Sequence, residues 1–160
     1  MIIHFICSGN SFRSRLAEAY LNSKKLSNII TGSSGINAAL GANGPISWYA
    51  QRIIQRYLLI PYETDIWKQT TKESLESSDL VIFMKKDYHR YCVKHLGFKS
   101  KNYEIWDIPD VEDMGFKENV GSPEDDEERI KATEEIFKQI KEKIDSFTLK
   151  LQSPYSSLDK

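Results

Sequence analysis

The feature that most constrains this chain is an alternation. Short apolar runs are separated by longer stretches with helical periodicity. Ile2-Ile3-His4-Phe5-Ile6 reads as a buried strand. It runs into the turn-rich Cys7-Ser8-Gly9-Asn10-Ser11, and then Ser14 to Leu21 reads as a helix, with Leu16, Ala17 and Tyr20 on one face. Asn28 to Thr31 predicts a second short strand, Gly32 to Gly44 a long loop, and Ile46 to Tyr57 a helix with Ala50, Ile53, Ile54 and Tyr57 inward. Thr70 to Ser74 looks like a capped short helix before Leu80-Val81-Ile82-Phe83-Met84, the strongest strand signal. Asp87 is placed to cap a helix reaching about Leu96, and Tyr103 to Trp106 predicts a fourth strand. A polar loop from Asp107 to Gly121 follows. Ser122-Pro123-Glu124-Asp125 has the marks of a helix start, and Ile130, Ile136, Phe137, Ile140, Ile144 and Phe147 carry that helix to about Leu151.

Strands that alternate with helices predict a parallel sheet, since parallel neighbours need long crossovers that pack back on its faces. The chain of 160 residues, without repeat or linker, suits one α/β domain over 1–151 followed by a frayed tail, 152–160. In such sheets ligands bind beyond the carboxyl ends of the strands. This directs attention to the loop at Cys7 and the loop near Asp110.

Composition narrows the function. A net charge of −1 argues against a basic nucleic-acid surface, and no apolar run is long enough to cross a bilayer. The first residues lack the basic and small-residue marks of a signal peptide. Two cysteines, Cys7 and Cys92, do not make a disulfide framework, and His4, His89 and His95 show no metal-ligand spacing with them. The expectation is a cytoplasmic protein without metal or cofactor, bound to neither nucleic acid nor membrane. His4 reads as a packed or edge histidine, and Cys92 as a packing residue.

The stretch Cys7-Ser8-Gly9-Asn10-Ser11-Phe12-Arg13-Ser14 carries the chemistry. A cysteine five residues ahead of an arginine is a weak signal by spacing alone. Its place between a strand and a helix makes it specific. Such a loop can turn its backbone N–H groups toward one centre, and the helix N-terminus adds partial positive charge. Gly9 permits positive φ and close approach, and Asn10 tolerates a left-handed conformation. Arg13 can pair two phosphate oxygens at once. Cys7 in that field is expected as a thiolate, with Ser14 donating to its sulfur. Nucleophile and oxyanion trap then share one loop.

These residues, followed by Ala17-Glu18, resemble the active-site signature of the low-molecular-weight protein tyrosine phosphatases, C-x-G-N-x-C-R-S-P-x-A-E. Ser33-Ser34-Gly35 falls where that family has Ser-Ala-Gly. Thr71-Lys72-Glu73 precedes a strand ending in Met84, and Trp106-Asp107-Ile108-Pro109-Asp110 resembles its late acid loop. The resemblance spans roughly residues 1 to 150. It implies a three-layer sandwich with a central four-stranded parallel sheet and no metal. It implies catalysis by Cys7, Arg13 and Asp110 through a phosphocysteine, with Ser8 to Ser14 binding phosphate. The substrate would be a phosphorylated protein or small phosphomonoester, and the product inorganic phosphate. Asp107, Glu112 and Asp113 compete with Asp110 for the acid role.

Several positions depart from the pattern. Phe12 stands where the family has a second cysteine, which leaves Cys7 without an adjacent resolving thiol. Arg15 replaces Pro, a mild change at the helix start. Val111 replaces Pro after the acid, Ala39 falls where an aromatic wall is usual, and Asp65 falls near a loop-supporting histidine. Phe116, Trp48, Tyr49 and Tyr62 are the available substitutes for the wall, against an ordinary reading as core or surface aromatics. Ser11 resembles the threonine of the phosphoarginine-selective branch. Phosphoarginine hydrolysis, arsenate reduction on the same fold, and phosphate binding without catalysis stand as alternatives to phosphotyrosine hydrolysis.

Overall fold

The computed structural model describes residues 1–41, 44–115 and 121–152. Four strands form one sheet: β1 (Ile2–Cys7), β2 (Ile30–Gly35), β3 (Leu80–Phe83) and β4 (Tyr103–Ile105), in the order β2-β1-β3-β4. Every neighbouring pair is parallel, and the register sets Cys7 beside Gly35 and Ile6 beside Phe83. Five helices connect and cover the sheet: α1 (Arg13–Ser23), α2 (Trp48–Arg56), α3 (Lys72–Glu76), α4 (Lys86–Leu96) and α5 (Pro123–Gln152). The predicted single α/β domain with a four-stranded parallel sheet is the one observed.

The alternation of β1 side chains divides the core. Ile3, Phe5 and Cys7 join Leu16, Ile53, Ile54, Ile136, Phe137, Ile140 and Ile144, which places α1, α2 and α5 on one face. Ile6 joins Val81, Phe83, Leu75, Cys92 and Phe98 under α3 and α4 on the other. Each fully buried Ile or Phe contributes about 2 kcal/mol relative to exposure. Two helix starts, those of α3 and α5, follow their capping chemistry. Thr71 and Ser74 form a reciprocal capping box on α3, and the Asp125 N–H donates to Ser122 Oγ at 3.2 Å on α5. No helix among the described residues is long and apolar enough to cross a membrane.

Some boundaries differ from expectation. β2 runs from Ile30 to Gly35, so its last four residues lie in the stretch expected to be loop. Apolar periodicity missed it because its inward residues are Ser33 and Ser34, buried through hydrogen bonds instead of hydrophobicity. α4 is not capped by Asp87. Lys85 holds the cap position, and Asp87 sits in the first turn, paired with Arg90 at 2.9 Å. α2 starts at Trp48, two residues after the expected start. α5 continues through Gln152; residues 153–160, read as tail, and Phe116 lie outside the described residues.

Candidate active site

β1 delivers Cys7 to the carboxyl edge of the sheet, and Arg13 opens α1 five residues beyond it. The intervening turn is closed by Asn10 at φ +53°, so the left-handed position falls on Asn10 and not on Gly9. The Asn10 N–H points back at the Cys7 sulfur, 3.2 Å away. Ser14 Oγ lies 2.9 Å from the same sulfur. The Asn10 side-chain amide already donates to Ser14 Oγ at 2.9 Å, which frees the serine hydroxyl hydrogen for the sulfur. The Asn10 N–H and the Ser14 hydroxyl thus converge on Sγ. α1 starts without a side-chain cap and without an acid in its first turn, so its N-terminus is open to an external anion.

The turn is held from outside the motif. Asn10 Nδ2 also donates to Ser33 Oγ at 2.8 Å, and the Lys68 N–H donates to Asn10 Oδ1 at 2.8 Å. The Ser33 hydroxyl in turn donates to Glu18 Oε2 at 2.5 Å. Burial pushes the Glu18 carboxyl up, against the pull of Ser33, Lys68 and Arg15. Gly35 approaches the turn so closely that a Cβ there would lie 2.3 Å from Ser8 O. Farther along, Ser47 donates its N–H (3.0 Å) and hydroxyl (3.1 Å) to Ser11 O.

Arg13 is 1% exposed. Its Nη1 donates to Ile108 O at 2.8 Å, and its Nη2 donates to Tyr88 Oη at 2.7 Å and forms an ion pair with Asp110. Its Nε has no partner among the described residues. Desolvation acts against the guanidinium charge, but Asp110, Tyr88 and Cys7 outweigh it and raise its pKa. Asp110 is in turn fixed by its backbone, whose N–H donates to Asp113 at 2.7 Å, while Lys85 pairs with Asp113. Burial alone would raise the Asp113 carboxyl; the Asp110 N–H and Lys85 hold it below the usual carboxylate value. The Ile108 N–H donates to Met84 O at 2.8 Å, which seats the acid loop on the end of β3. Of the acids considered at the sequence level, Asp110 is the one paired with Arg13. Asp113 orients it.

These groups surround a pocket of about 160 Å³. Cys7, Ser8, Gly9, Ser11, Phe12, Arg13 and Asp110 line it, and Leu40, Tyr49 and Glu112 border it. Asn10 and Ser14 stand behind the loop and shape it without lining the pocket. Among the aromatic candidates for a wall, Tyr49 borders the pocket, and its ring meets Phe12 edge-on at 4.9 Å. Trp48 and Tyr62 do not. Among the described residues, Tyr49 is thus the one of the named substitutes that the structure sets at the pocket, next to Ser47, which hydrogen-bonds the loop.

Arg15 is more than a mild change. It is 2% exposed, and it donates to Pro45 O at 3.2 Å and to Thr64 O, tying α1 to two loops. Tyr88 was not singled out by sequence, because it belongs to no motif. Cys92 is buried on the opposite face of the sheet, and burial pushes its thiol up to about 12. His4 is buried and bonded to Ser34 Oγ at 2.8 Å; burial, with Lys68 nearby, lowers it to about 4. Among the described residues, no three His, Cys, Asp or Glu side chains are grouped as metal ligands.

A family model for low molecular weight phosphotyrosine protein phosphatase matches residues 2–157. A comparison with curated proteins by sequence gives no match. Solved structures share the fold. Vibrio vulnificus Wzb in complex with benzylphosphonate is 20% identical, with a TM-score of 0.73 over 93% of this chain and 97% of that one. Wzb from Escherichia coli K30 with sulphate is 18% identical, TM-score 0.71, over 94% and 97%. The YwlE arginine phosphatase from Geobacillus stearothermophilus is 20% identical, TM-score 0.61, over 96% and 99%. With the family match extending over nearly its whole length, the chain belongs to the low molecular weight phosphotyrosine protein phosphatases.

Proposed function

We propose that this chain is a cysteine-dependent phosphatase that hydrolyses phosphotyrosine in proteins through a phosphocysteine intermediate. The observation that carries the reading is the Cys7 sulfur, approached by the Asn10 N–H and the Ser14 hydroxyl, in one pocket with Arg13 and Asp110. The Cys7 thiolate attacks phosphorus in line, and the P–O bond to the leaving group breaks as the S–P bond forms. The loop amides and Arg13, whose Nε is an unused donor, hold the equatorial oxygens. Once released from Arg13, Asp110 takes up a proton from solvent and gives it to the leaving oxygen. It then takes a proton from the water that attacks phosphocysteine, releasing inorganic phosphate and the thiolate. Asp110 is paired with Arg13, so an incoming phosphate displaces it from the guanidinium.

Tyr49 beside the cradle supports an aromatic substrate, because an aryl ester in that pocket would pass along its ring. A second reading, phosphoarginine hydrolysis, is favoured by Ser11 and by Glu112 bordering the same pocket near Asp110, since two acids suit a guanidinium leaving group. Arsenate reduction lacks support, because Cys92 is on the far face of the sheet from Cys7.

Hydrolysis of para-nitrophenyl phosphate in EDTA by wild type, Cys7→Ser and Asp110→Asn tests the mechanism. The expected result is turnover that vanishes in Cys7→Ser and falls roughly a hundredfold or more in Asp110→Asn. Phosphotyrosine and phosphoarginine peptides then decide between the two substrates. Folded wild type that binds vanadate without turnover refutes the enzyme and leaves a phosphate-binding protein.

A further inference from the structure

Arg13 carries five N–H donors, and the protein engages it on several sides. Ile108 O takes Nη1, while Tyr88 Oη and Asp110 share Nη2. The two Nη2 partners differ in kind. Asp110 is a carboxylate on the pocket wall, with a side chain 17% exposed, and it is the proposed proton donor. It cannot remain ion-paired with Arg13 while it protonates a leaving group. A phosphate dianion entering the cradle competes for the same guanidinium. Once Asp110 leaves Nη2, the protein acceptors that remain are Ile108 O and Tyr88 Oη, one on each terminal nitrogen.

Tyr88 suits a permanent anchor. Its ring lies 5.5 Å from the guanidinium carbon, and its hydroxyl oxygen is 2.7 Å from Nη2. Burial, opposed by Arg13, pushes the phenol up to about 12, so the hydroxyl stays neutral through the working range. A neutral acceptor fixes the direction of the guanidinium without cancelling the charge that phosphate needs. A carboxylate would cancel it. Tyr88 lies in the first turn of α4, next to Lys85, which pairs with Asp113 and thereby steadies the Asp110 backbone. One helix start therefore positions both the guanidinium and the acid loop.

We propose that the Tyr88 hydroxyl is a positioning group that keeps Arg13 aimed at the phosphate cradle after Asp110 has released it. This rests on the phosphatase reading above. The test is Tyr88→Phe, which keeps the ring and its packing and deletes one oxygen. Binding of inorganic phosphate and of orthovanadate is measured by calorimetry, and para-nitrophenyl phosphate kinetics are measured across pH. The expected result is phosphate and vanadate binding weakened by roughly tenfold, kcat/KM lowered to match, and an unchanged melting temperature. The pH limb that disappears in Asp110→Asn stays in place. Wild-type binding in a folded Tyr88→Phe overturns the proposal while the phosphatase reading stands. Wild-type protein that binds neither anion overturns both.

Discussion

Replacing Gly35 by alanine tests whether the cradle depends on a contact outside its own motif. A Cβ at this position would lie 2.3 Å from Ser8 O, 2.6 Å from the Asn10 nitrogen and 2.8 Å from the Gly9 carbonyl carbon. Ordinary contact begins near 3.4 Å, so strand and loop must separate by about 1 Å, and all three atoms are backbone. β2 is the less able to yield. It is paired along β1, and Gly35 is bonded to Lys68 O and to the Thr70 N–H, each at 2.9 Å. The loop therefore moves. Because the Asn10 N–H reaches the Cys7 sulfur at 3.2 Å, a displacement of about 1 Å takes that bond out of range. Misplacement on that scale costs about a hundredfold in rate, and overpacking costs about 1–3 kcal/mol in stability. The assay pairs para-nitrophenyl phosphate turnover with urea unfolding. Gly121→Ala is the control, since a Cβ there meets nothing within 4 Å. Wild-type kcat/KM in a folded Gly35→Ala protein would refute the reasoning.

Two further outcomes follow from buried groups. His4 titrates near 4 in the folded protein against 6.5 when unfolded, so the unfolded chain takes a proton first as pH falls. Stability is full above pH 6.5 and declines by up to about 3 kcal/mol toward pH 4; urea midpoints at neutral and acid pH should converge in His4→Gln. Peroxide should inactivate the protein irreversibly, with two oxygens added to Cys7, because Phe12 fills the place of a resolving thiol and Cys92 is buried across the sheet. A Cys7–Cys92 disulfide in the peptide map, or full recovery with dithiothreitol, contradicts this.

What could be read from the sequence was local. Cys7 to Ser14 is one contiguous turn whose residue types each have a backbone or charge reason to be there, and the strand before it and helix after it follow from short-range periodicity. Asp110 was recognisable by its place after Ile108-Pro109. Contacts made at long range were not legible. Tyr88 reaches Arg13 across 75 positions, and Tyr49 stands at the pocket because Ser47 grips Ser11 O. Arg15 looked like a mild change at the helix start, since nothing near it in sequence announces carbonyls at Pro45 and Thr64. β2 was half missed for a related reason: serines buried by hydrogen bonding look polar to any pattern based on hydrophobicity.

The short segment from Lys68 to Thr70 has a consequence for solubility. β2 is an edge strand, and this segment brackets its last residue by pairing with both the N–H and the C=O of Gly35. The same segment holds the Asn10 side chain through the Lys68 N–H. At the other end of the strand, Ile30 is already 66% exposed. If the segment peels away, the outer edge of β2 is bare along its length and open to pairing with another molecule. Clumping on warming should therefore begin at the temperature at which phosphate binding is lost, since one strap guards the sheet edge and the cradle together.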